Sequence, residues 1–107
     1  MAGGYQGLAS GKWAAVAGGV SGEAGGYAAA VVGGNGNSAS GKWAVAVGGD
    51  GNQASGHGAS AVVGGWGNVA SGEGAMVVGG LENQASGEVA TVAGGVQVVA
   101  SADYDVK

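Results

Sequence analysis

Few side chains in this 107-residue chain have the type or spacing for catalysis. His57 is the only histidine, so any serine nucleophile would have to find its general base there. It lies in the one repeat unit that is a residue longer than the others, which marks a corner bulge rather than the floor of a pocket, and it reads as a surface residue. Glu73 and Glu88 share a phase in successive units. Stacked, their carboxylates would lie near the separation of about 5 Å that retaining glycosidases use. Their column, however, runs Lys12, Tyr27, Lys42, His57, Glu73, Glu88, which is the composition of a solvated edge. A neighbouring lysine or a cation would relieve the repulsion between the two glutamates. The segments GGNGN (33–37), GGDGN (48–52) and GGWGN (64–68) faintly echo a calcium-binding nonapeptide, but the period differs and asparagine stands where that motif needs a liganding aspartate. The expectation is a non-enzymatic protein with no metal site and no cofactor.

The aromatic residues are more informative. Trp13 and Trp43 share a phase two units apart with Ala28 between them, Tyr27 sits one position before Ala28, and Trp66 begins a turn in a column with Leu81 and Val96. These rings either pack at subunit edges or form an exposed ladder. Trp13, Tyr27, Trp43 and Trp66 are therefore the candidate ligand surface, because tryptophan is enriched at binding hot spots.

Composition narrows the scaffold that must hold these residues. Glycine is the commonest residue, at 28, with no proline, cysteine or phenylalanine. No strict three-residue glycine period exists, which excludes collagen. With 46% apolar and 9% charged residues the chain is no disordered linker either. The glycines must serve tight turns. Net charge is −4, and Lys12, Lys42 and Lys107 are too few to neutralise a nucleic acid backbone or to hold an anionic membrane. Without cysteine there is no disulfide framework. No leader and no apolar run of 18 residues is visible, so the expectation is a soluble piece, not itself membrane-embedded, excised from a longer chain.

The repeat decides the architecture. Ala-Ser-Gly begins at Ala9, Ala39, Ala54, Ala70 and Ala85, with variants at Ala24 and Ala100. Gly-Gly pairs begin at Gly3, Gly18, Gly33, Gly48, Gly64, Gly79 and Gly94. Both markers recur every 15 residues, with one shared step of 16. Each unit holds four small apolar residues, too few for a helix and apt for a buried strand, and a shorter Asn-x-Ala-Ser strand. The fold expected is all-β, a parallel β-solenoid of about seven 15-residue coils over residues 1–102, with 103–107 as a tail leading out. Asn37, Asn52, Asn68 and Asn83 should stack as a ladder just after a turn, in a position where asparagine tolerates left-handed backbone. The alanine column beginning at Ala9 marks a place too crowded for a larger side chain.

Both faces of the four-residue strand are apolar: Ala44 and Ala46 against Val45 and Val47, or Ala75 and Val77 against Met76 and Val78. A strand with one wetted face would alternate apolar with polar residues. One face fills the coil and the other needs a cover, which no helix supplies. Val45, Val47, Ala61, Val63, Met76 and Val78 are thus expected in a subunit interface or in the core, and the chain in an oligomer about a rotation axis. Two and three copies both remain open on these grounds.

The units Ser60-Ala61-Val62-Val63-Gly64 and Ala44-Val45-Ala46-Val47-Gly48, followed by Asn-x-Ala-Ser-Gly, resemble the head repeats of YadA-like trimeric autotransporter adhesins. The resemblance runs from Gly3 to about Ala102, with two departures: a doubled glycine lengthens the usual unit to 15, and Val or Ala replaces the usual Ile. It implies a left-handed β-roll, although crossovers are in general right-handed. It also implies a homotrimer displayed outside the outer membrane of a Gram-negative bacterium, with stalk and anchor elsewhere on the chain. The function it implies is adhesion to host extracellular-matrix or cell-surface molecules, with multivalency combining weak contacts. A structural spacer projecting another binding domain is the alternative. An ice-binding solenoid is disfavoured, since Thr91 is the only threonine.

Overall fold

The structure, a computed structural model, describes residues 4–107, so Gly3 and the two residues before it lie outside the described part. Strands alternate in length along the chain: β1 (Leu8–Ala9), β2 (Ala15–Ala17), β3 (Glu23–Ala24), β4 (Ala30–Val32), β5 (Ser38–Ala39), β6 (Val45–Val47), β7 (Gln53–Ala54), β8 (Ala61–Val63), β9 (Val69–Ala70), β10 (Met76–Val77), β11 (Gln84–Ala85), β12 (Thr91–Val92) and β13 (Val99–Ala100). The odd strands form one seven-stranded sheet and the even strands a six-stranded one. Every pairing is parallel and joins equivalent residues, Ala24 to Ala39 and Val31 to Ala46 for example. A third column of single parallel bridges runs Tyr5, Val20, Asn35, Asp50, Trp66, Leu81, Val96. The chain is a parallel β-solenoid of about six turns rather than seven, because seven short strands bound six complete turns. Its Cα extents are 34 × 23 × 11 Å.

The 11 Å dimension follows from the side chains inside. Val16, Val31, Ala46, Val62, Val77 and Val92 face in from the long strands, and Ala24, Ala39, Ala54, Ala70, Ala85 and Ala100 from the short ones, all buried. Nothing larger than valine would fit between the sheets. Glycine is obligatory at the corner after each short strand but the last. A Cβ on Gly41 would lie 2.0 Å from the carbonyl oxygen of Gly56 in the next coil, and the same clash repeats at Gly11, Gly26, Gly56, Gly72 and Gly87. The column ends on Ala102, which stacks on Gly87 from the last coil.

Asn37, Asn52, Asn68 and Asn83 are buried inside the second turn and form the expected ladder. The Nδ2 of Asn68 donates to Gly64 O (3.2 Å) in its own coil and to Gly80 O (3.0 Å) in the next, while its Oδ1 accepts from the backbone N–H of Asn83 (2.8 Å). The left-handed backbone expected of these asparagines belongs instead to the residue before each: Gly36, Gly51 and Gly67, with Gln6, Ser21, Glu82 and Gln97 in the same column. Burial of the amide, not its tolerance of positive φ, selects asparagine.

The longer coil takes its extra residue at a corner, 57–59. Ala59 N–H still donates to Lys42 O (3.2 Å) and Gly74 N–H to His57 O (3.2 Å), so pairing resumes in register at Ala61. At the other end Thr91 N–H donates to Asp105 O (2.7 Å) and Ala93 N–H to Lys107 O (3.0 Å), and Val106 bridges to Thr91.

Candidate binding surfaces

Alternation along the long strands sends Val16 and its equivalents inward and their neighbours outward. The outer face of the six-stranded sheet therefore carries Ala15 and Ala17, Ala30 and Val32, Val45 and Val47, Ala61 and Val63, Met76 and Thr91, continued past the strand ends by Val78 and Ala93. Val45, Val47 and Ala61 are half-buried, while Val32, Val63, Met76 and Val78 are 41–45% exposed. All six residues expected in an interface or in the core lie on this outward face. The core position opposite them is taken by Ala44, Ala46, Val62, Ala75 and Val77, which are fully buried. Thr91 is the one polar member of the face.

The four aromatic candidates divide between two corners. Trp13, Tyr27 and Trp43 stand together on the corner that precedes the long strands. The Trp13 and Tyr27 ring centroids are 5.4 Å apart with their planes at 57°. Lys12 Nζ lies 5.1 Å from the Trp13 centroid, and Lys42 Nζ lies 5.7 Å from that of Tyr27 and 4.6 Å from that of Trp43. Lys42 is therefore held between two rings, an arrangement the ring quadrupoles favour. All three rings are exposed, Trp13 to 73%. Coil-to-coil hydrogen bonds hold the corner in register, Ala28 N–H to Lys12 O and Trp43 N–H to Tyr27 O, both 2.8 Å. Trp66 lies apart, in the column of single bridges between Asp50 and Leu81. The lysines' part in the cluster has one signal in the sequence, the repeated Gly-Lys-Trp at 11–13 and 41–43. That Tyr27 meets both neighbouring coils emerges only from the stacking.

Among the described residues, those weighed for catalysis share no side-chain hydrogen bond. His57 is exposed at the bulged corner, whereas the nearby Ser60 is buried at the position equivalent to Ala44 and donates its hydroxyl to Gly56 O (2.9 Å). Glu73 and Glu88 lie exposed on the edge. In the glycine-rich turns the backbone carbonyls of Gly33, Gly48 and Gly64 each accept from an asparagine amide, so those oxygens are already engaged. Among the described residues no three His, Asp or Glu side chains converge and no cavity forms.

Comparison with protein-family models, with curated proteins and with solved structures finds no match in any of the three.

Proposed function

We propose that this solenoid is the head of a bacterial surface adhesin of the YadA-like trimeric autotransporter kind. It acts as a left-handed β-roll homotrimer, without enzymatic activity, at the outer membrane of a Gram-negative cell. The observation that carries the reading is the apolar outer face of the six-stranded sheet. Contiguous exposed apolar surface of this kind marks an interaction site, and a regular face repeated coil after coil suits packing against copies of itself about an axis. The strand-and-turn repeats of the trimeric heads match this unit in order, if not in length. Around such a trimer each lysine–aromatic corner would be presented three times, which raises avidity toward matrix or cell-surface molecules. That cluster, gathered at one end of the stack, favours adhesion over a passive spacer.

The test is surface plasmon resonance over immobilised collagen, fibronectin and laminin, with attachment to cultured cells alongside. Saturable attachment is expected from the native protein. Weakened attachment is expected from Val47→Lys/Val63→Lys, which places charges on the sheet face. A trimer inert toward every matrix and cell surface would leave the spacer as the better reading.

A further inference from the structure

We infer that the lysine–aromatic corner of the first coils binds an extended acidic polysaccharide in which a uronate alternates with an uncharged sugar. The inference rests on the adhesive reading and adds the ligand class. Two of the three basic residues in a chain of net charge −4 stand on this one corner, beside two of its three tryptophans. Neither lysine is neutralised by a carboxylate: among the described residues the single ion pair joins Lys107 to Asp105. The corner is thus a local positive patch on an acidic molecule, lined by exposed aromatic rings.

Spacing selects the ligand. Successive coils rise about 4.8 Å, close to the length of one pyranose in an extended chain, so each coil addresses one sugar. The corner alternates with a two-coil period: Lys12 and Trp13, then Tyr27 and Ala28, then Lys42 and Trp43. Lys12 and Lys42 are therefore about 10 Å apart along the axis, two coil rises. A polymer bearing one carboxylate on every second sugar places its acids at that interval. Its uncharged sugars lie between them, and the apolar C–H faces of its rings rest on the indoles and the phenol. A protein strand would have no reason to repeat with this period. The same edge becomes acidic farther along, at Glu73, Glu88 and Asp103, all exposed, so an anionic chain is confined to the first coils.

The test titrates a hyaluronan octasaccharide into the protein carrying Trp66→Phe, so that indole fluorescence reports only Trp13 and Trp43. A saturable spectral change is expected, weakening as sodium chloride is raised. An uncharged N-acetylglucosamine oligomer of similar length should bind at least about tenfold more weakly, and Lys12→Gln/Lys42→Gln should cost hyaluronan about the same factor, the worth of one or two charge-assisted contacts. Circular dichroism checks that the variants keep their β-structure. No saturable change, equal binding of the neutral oligomer, or undiminished binding by the lysine variant would overturn the inference. A change in assembled mass on substituting Trp13 and Trp43 by Ala would assign the corner to subunit packing and overturn it also. Matrix attachment that persists without any hyaluronan response would remove the glycan alone; loss of both would remove the adhesive reading with it.

Discussion

Replacing Asn68 by alanine would strip three hydrogen bonds from the interior of two coils. Gly64 O loses its donor and Asn83 N–H its acceptor, while Gly80 O keeps only the Trp66 N–H. Buried groups left unpaired carry their full desolvation cost, so a loss of about 3 kcal/mol is expected in denaturant unfolding. Asn68→Asp should lose more than Asn68→Ala, because a carboxylate oxygen would replace Nδ2 and face two carbonyl oxygens in a dry place. An aspartate variant as stable as the native protein would mean that the ladder is not what joins these coils. Val89 makes the opposite case. It holds φ at 55° and is 45% exposed, so a β-branched side chain sits in left-handed backbone with little burial in return. Val89→Gly is expected to raise the melting temperature, by about 1 kcal/mol of stability.

At the scale of the strand and its corners, two glycines in one coil separate close packing from backbone conformation. Gly41→Ala drives a Cβ into Gly56 O of the next coil, which backbone movement alone can relieve. A loss of about 4 kcal/mol or more is expected. Gly48 has open space around its Cβ direction and a φ of +67°, so Gly48→Ala should cost about 1–2 kcal/mol, the conformational term alone. Comparing the two unfolding midpoints checks the corner model directly. These elements were legible in the sequence because every coil repeats the same markers: Ala-Ser-Gly gave the short strand and corner, and Ala and Val before Gly-Gly gave the long one. The facing of the long strand was not legible. Ala44 and Val45 are both apolar, and only the stacking shows that the first is buried beneath the corner while the second points out. The left-handed column was hidden for a related reason. Gly36, Gly51 and Gly67 announce it, but Gln6, Ser21, Glu82 and Gln97 fill the same place elsewhere. At the aromatic corner the residue types were visible, whereas the insertion of Lys42 between rings from two coils depended on the register between them.

The whole molecule is a thin slab whose interior holds little beyond alanine, valine and four asparagines, and whose long-strand sheet turns a nearly uniform apolar surface outward. Small side chains return modest stabilisation on burial, about 25 cal/mol per Å² of apolar surface, so lateral packing of identical slabs would extend a core that one chain leaves shallow. Val47→Lys/Val63→Lys is expected to yield single chains that keep a β-type far-UV spectrum, since both side chains lie outside the coil. The most direct measurement is sedimentation equilibrium of the native protein. A homotrimer requires three times the chain mass of 9.8 kDa, independent of loading concentration over the micromolar range. A folded species of 9.8 kDa, with Val63 and Val78 in water, would contradict it.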